Sequence, residues 1–108
     1  MNSTLESLQE VFEKMKYTGI DVTRDLKWGF YFFDEDRGPL MRIYRELKSA
    51  GYRLESLAVN NEGEFRLHVS MIRILTPEQL HRQNIAFNEL ADQCCTPDYD
   101  GWDVKEAG

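Results

Sequence analysis

Tyr99-Asp100-Gly101-Trp102 stands only six residues before the last residue of this 108-residue sequence. Chain ends usually fray and carry small polar residues, so two large aromatics around an Asp-Gly turn signal predict a segment tied into the body of the fold. Pro97 stops the helical pattern before it, and Tyr99 to Val104 reads as a short final strand. That strand decides the architecture, because it supplies the last element of a six-element alternation.

Upstream of it, Thr76, Pro77 and Gln79 open a helix as cap, first-turn proline and reciprocal capping partner. Leu80, Phe87, Leu90, Ala91 and Cys94 supply its apolar stripe, which runs to about Cys95. Before that helix, Tyr52 to Val59 reads as a strand, Asn60 to Gly63 as a turn, and Phe65, Leu67, Val69 and Met71 as the alternating face of a hairpin partner. The alternation breaks at Ile72 and Ile74, which predicts either a bulge or a strand end covered on both faces. Pro39 is placed as the first residue of an earlier helix with the stripe Leu40, Ile43, Tyr44, Leu47 and Ala50, closed by Gly51 in a left-handed cap. Leu26 to Phe33 is the first strand, with Leu26, Trp28, Phe30 and Phe32 on one face and Tyr31 and Phe33 on the other.

The resulting order, strand, helix, strand, strand, helix, strand, is the α+β split βαβ or ferredoxin-like pattern with an antiparallel-type four-stranded sheet. We expect its first and third strands to lie parallel in the centre and its fourth antiparallel beside the first. An additional N-terminal helix over about residues 3–16 follows from a Ser3 to Glu6 capping box and from Leu5, Leu8, Val11, Phe12 and Met15 at helical spacing. The length suits one domain, residues 1–108, with the ferredoxin-like core over about 26–105.

Composition narrows the function classes. Thirteen Lys plus Arg stand against 19 Asp plus Glu, a formal charge of -6 that opposes phosphate-backbone binding and favours protein partners or basic surfaces. No apolar run approaches the ~20 residues that cross a bilayer, and no basic-then-apolar leader is present, so a cytoplasmic protein without membrane contact is expected. Cys94 and Cys95 are adjacent and read as two thiols at a helix end, since a disulfide between them would need distorted geometry. No zinc-type Cys and His spacing or calcium-loop spacing occurs, and neither metal nor cofactor is expected.

Two surfaces are candidates. With strand four antiparallel to strand one, the end of the first meets the start of the last, which brings Asp34, Glu35 and Asp36 towards Asp98 and Asp100, with Trp102 alongside. This acidic edge is either a solvated loop or a platform for an Arg-rich partner segment. The sheet face carrying Tyr31, Phe33, Arg66, His68 and Ser70 is the second candidate. It could stack single-stranded RNA, be covered by the N-terminal helix through Leu5, Leu8, Val11 and Phe12, or join a second copy as a homodimer. Strand three, Glu64 to Met71, lacks the Gly and aromatic pattern of RNA-recognition motifs. No nucleophile elbow or phosphate-cradling loop accompanies His68 and His81, so no enzyme is expected.

The Tyr99 to Trp102 run resembles the RraB family, regulators of ribonuclease E activity. The likeness extends over most of the chain from about Trp28. It is carried also by the aromatic first strand Gly29, Phe30, Tyr31, Phe32, Phe33, Asp34, by the helix exit from Leu47 through Ala50 and Gly51 to Tyr52, and by the start Thr76, Pro77, Glu78. The resemblance implies a ferredoxin-like cytoplasmic protein that inhibits an RNA-cleaving enzyme by binding it, without catalysis of its own. It points to a short variant: Lys105, Glu106, Ala107 and Gly108 stand where better-known members continue into a long acidic extension, and the N-terminal region is shorter than theirs.

Overall fold

The computed structural model describes residues 4–94 and 97–107. Its element order is α1 (Leu5–Tyr17), β1 (Leu26–Asp34), α2 (Arg37–Ser49), β2 (Arg53–Val59), β3 (Phe65–Arg73), α3 (Pro77–Gln93) and β4 (Asp98–Glu106). The four strands form one open sheet in the order β2-β3-β1-β4, with every neighbouring pair antiparallel. The expected parallel pairing of the first and third strands is therefore incorrect. The crossover through α2 returns β2 parallel to β1, and the hairpin then turns β3 against both as it inserts between them.

Each element begins and ends on local chemistry. Thr76 and Gln79 make the reciprocal capping box at α3, with Thr76 Oγ1 accepting from the Gln79 N–H at 3.2 Å and Gln79 Oε1 from the Thr76 N–H at 2.9 Å. At α1 the cap is Thr4, whose Oγ1 accepts from the Ser7 N–H at 3.1 Å; Ser3, expected in that role, lies outside the described residues. α2 starts two residues earlier than expected, at Arg37, so Pro39 is its third residue. The first four N–H groups of a helix have no intrahelical acceptor, so proline costs no hydrogen bond there. Gly51, at φ 94, takes the left-handed position past the end of α2.

All three helices pack on one face of the sheet. Leu26, Trp28, Phe30 and Phe32 of β1 and Leu67 and Val69 of β3 are buried beneath Leu8 and Phe12 of α1, Leu40, Ile43 and Leu47 of α2, and Leu80 and Phe87 of α3. Phe12 stacks on Trp28 with ring centroids 5.8 Å apart. α1 thus joins the core layer instead of covering the opposite face, as one sequence expectation had it, and that face is left open. Tyr99 is also buried, its hydroxyl bonded to Asn84 Oδ1, so the aromatic C-terminal segment is tied into the body as the sequence predicts. Burial pushes its hydroxyl pKa up.

Two bulges set which side chains reach which face. Between Tyr31 paired with Gly101 and Phe32 paired with Tyr99, β4 carries the extra residue Asp100, and Gly101 adopts φ 120 beside it. In β2 the extra residue is Glu55, between Leu54 and Ser56. No irregularity interrupts β1 against β3, and Ile72 and Ile74 are 57% and 49% exposed. Neither the bulge nor the two-sided cover expected there occurs.

Among the described residues no helix is long and apolar enough to cross a membrane.

Candidate functional site

The hairpin and the sheet topology build an acidic corner from three separate segments. The pairing of Phe33 with Asp98 brings the start of β4 against the end of β1. The turn from Asn60 to Glu64 brings in a third segment; Asn60 Oδ1 accepts the N–H groups of Glu62 and Glu64 at 2.9 Å each, and Gly63 takes φ 83. Phe33, Asp34, Glu35, Asp36, Glu64 and Asp98 line one shallow cleft of about 250 Å³.

The carboxylates in it differ in role. Asp34 is buried and accepts the Asp36 N–H at 3.1 Å, which fixes the turn into α2. Glu35, Asp36 and Asp98 are exposed. Asp36 sits at the N-cap of α2 without a side-chain capping bond, so its carboxylate faces outward uncommitted to the helix. The unpaired N–H groups at the start of α2 offset part of the repulsion among these charges.

The structure brings Asp34, Glu35, Asp36 and Asp98 together at this cleft, and it places Asp100 and Trp102 elsewhere. Neither of the latter two lines the cleft. Simple alternation from Asp98 would put Asp100 and Trp102 on its face, but the extra residue at Asp100 inverts the parity. Trp102 pairs with Phe30 and packs against Trp28, centroids 5.8 Å apart, on the helix-covered side. Sequence reasoning missed Glu64. Its signal was the Asn60 to Gly63 turn, which ends beside strand one only once β3 is paired with β1.

Tyr31, Phe33, Arg66 and His68 do come together on the open face. His68 stacks on Tyr31 at 4.3 Å, and the Arg66 guanidinium lies over the Tyr31 ring at 4.0 Å and towards Phe33 at 5.7 Å. The Tyr31 hydroxyl donates to Asp103 Oδ2. Burial, then this bond and the carboxylate charge, pushes the Tyr31 pKa up to about 12. Burial lowers the pKa of His68. Beyond Gly29 the same face continues as Lys27 Nζ to Glu55 Oε1 at 2.6 Å and Ser70 Oγ to Glu55 Oε1 at 2.7 Å. Those two bonds hold Glu55 down at about 2. The aromatic rings that could have stacked RNA bases are thus packed against groups of their own chain.

Cys94 is a free, partly buried thiol at the end of α3, and Cys95 lies outside the described residues. Among the described residues no group of three or more His, Cys, Asp or Glu is arranged to hold a metal ion.

No curated protein matches the sequence. The family model described as RraB, regulator of ribonuclease activity B, matches residues 5–104, so the likeness reaches back through α1 as well as across the sheet. With nearly the whole chain matched, and with the aromatic β1 and the anchored Tyr99 to Trp102 strand in their places, this protein belongs to the RraB family of regulators of ribonuclease activity.

Proposed function

We propose that the chain is a non-catalytic inhibitor of ribonuclease E that works by binding the enzyme, with its acidic corner as the contact surface. The observation that carries this reading is the convergence of Asp34, Glu35, Asp36, Glu64 and Asp98 from three segments around the half-buried ring of Phe33. An Arg-rich segment of the partner fits such a surface, since guanidinium groups pair with carboxylates and stack on aromatic rings. Exposed charges of this kind speed and select encounter more than they deepen affinity. The action is cytoplasmic, where the ribonuclease meets its substrates, and it involves no cofactor.

Co-purification with ribonuclease E tests the reading. Glu35→Arg combined with Asp98→Arg should abolish recovery of the complex at moderate salt while far-UV circular dichroism stays unchanged. Asp34 is left intact because its carboxylate holds the turn before α2. Recovery equal to that of the unmodified chain would refute the acidic corner as the contact.

RNA stacking on the open face gains no support from the geometry, because Tyr31 already carries His68 and Arg66 against its ring. Titration with single-stranded RNA should leave the tryptophan and tyrosine emission unquenched.

A further inference from the structure

A second concavity, on the helical side of the molecule, has no part in the acidic corner. It is a cleft of about 530 Å³ whose walls include Phe12, Glu13 and Lys16 of α1, Val22 of the loop that follows, and Ile74 and Pro77 at the start of α3. Ile74 is one of the two isoleucines at which the strand alternation breaks, and among the described residues it stays 49% exposed. At the end of the same helix, Tyr17 is 89% exposed. An apolar cleft and a projecting aromatic side chain therefore lie along one helix.

We propose that α1 and this cleft form the two-fold interface of a homodimer, with Tyr17 of each copy covering the cleft of the other. A two-fold interface must be self-complementary, so that a residue meeting a second position on the partner is matched by the reverse contact. The charge order along α1 satisfies this condition. Glu6, Glu10 and Glu13 occupy its first three-quarters, and Lys14 and Lys16 its last turn. Two α1 helices laid antiparallel across their last turns bring Glu13 of each against the basic end of the other. With the axis between residues 14 and 15, Glu13 of one copy faces Lys16 of the other, and Phe12, in the cleft wall, faces Tyr17. Both complementarities come from a single register. The exchange replaces the exposed Glu13 to Lys16 contact within each helix, 3.3 Å long, which is worth little by itself.

Other surfaces suit a second copy less well. α2 carries Arg37, Arg42, Arg45 and Lys48 against one Glu46, and the acidic corner is of one sign, so either would repel its own image. Among the helices, α1 is the one whose charges are divided along its length.

Sedimentation equilibrium of the full chain, from about 1 to about 500 micromolar, spans the range in which a weak interface assembles. The mass should rise from that of one chain to that of two. Glu13→Lys and Lys16→Glu should each weaken association by about tenfold, because each sets like charges against one another across the axis. Mixing the two variants should restore a dimer containing one copy of each, an effect that loss of the intrahelical pair alone cannot produce. Tyr17→Ala, at an exposed site, should weaken the dimer with the fold intact. A single-chain mass throughout the range, or a dimer indifferent to these substitutions, would overturn the proposal. So would a monomer whose Ile74→Glu variant loses ribonuclease binding, since that outcome gives the cleft to a foreign partner. The acidic-corner reading stands or falls separately, because none of these residues lines that corner.

Discussion

Gly29 is where the packing of the open face is most sharply constrained. A Cβ on this residue would lie 2.2 Å from Asp103 Oδ1 and 2.7 Å from His68 Nε2. Both side chains lie across the space that the missing side chain leaves, and from there Asp103 accepts the Tyr31 hydroxyl. Gly29→Ala should push Asp103 and His68 aside at a cost of about 1 kcal/mol, since both can swing outward instead of straining the backbone. The sharper readout is the tyrosine titration near 295 nm. The Tyr31 hydroxyl, raised to about 12 in the native protein, should move back towards 10, and an unchanged titration would show that Asp103 does not depend on the glycine. Trp102→Ala should lower stability by about 2 kcal/mol in urea unfolding, below the usual buried-tryptophan range because the ring is only partly covered. It should leave ribonuclease binding untouched, because the ring faces the core. At this scale the sequence was legible wherever alternation held: Tyr31, Phe33, Arg66 and His68 share a face as their spacing requires. Asp103 and Glu55 escaped notice because each lies beyond or within a bulge, where counting by twos gives the wrong face.

Among the elements, α3 and β2 make the most direct tests. The capping box of α3 satisfies two backbone donors through two side chains, so Thr76→Ala should cost about 1 kcal/mol, measured as a lowered urea midpoint with an unchanged slope. The bulge in β2 gives the sheet an acid-sensitive tie. Glu55 is held at about 2 against an ordinary value of 4.5, by Lys27 first and Ser70 next. A carboxylate with a depressed native pKa contributes stability that is fully present above the unfolded value. It loses that contribution as the pH falls through the window from about 4.5 to about 2. Unfolding of Glu55→Gln followed across that window should therefore show a shallower loss of stability than the unmodified chain; parallel curves would mean that the tie contributes nothing. The α3 start was readable because cap, proline and capping partner sit within four residues of sequence. The start of α2 was not, because Asp36 caps it without a side-chain bond and the proline tolerates several positions in a first turn.

For the molecule as a whole, the order of elements was enough to predict an α+β sheet with β4 beside β1, and that neighbourhood is what gathers the acidic residues. The direction of β3 relative to β1 was misjudged, because a crossover fixes the relation of β1 to β2, which are not neighbours in this sheet. The acidic corner was legible in outline from strand ends alone. Glu64 joined it, and Trp102 left it, for reasons visible only once the hairpin turn and the Asp100 bulge are in place. Membership in a family of ribonuclease regulators makes binding the expected activity, and the charge of -6 with its clustering at one corner indicates how that binding should respond to salt. Titration calorimetry of the full chain against ribonuclease E, at about 50 and about 300 mM salt, is the most direct measurement. The account predicts a complex that weakens steeply with salt, and a Glu35→Arg, Asp98→Arg variant that binds at least tenfold more weakly at low salt with little remaining salt dependence. Equal affinity for the two proteins, with the same response to salt, would contradict it.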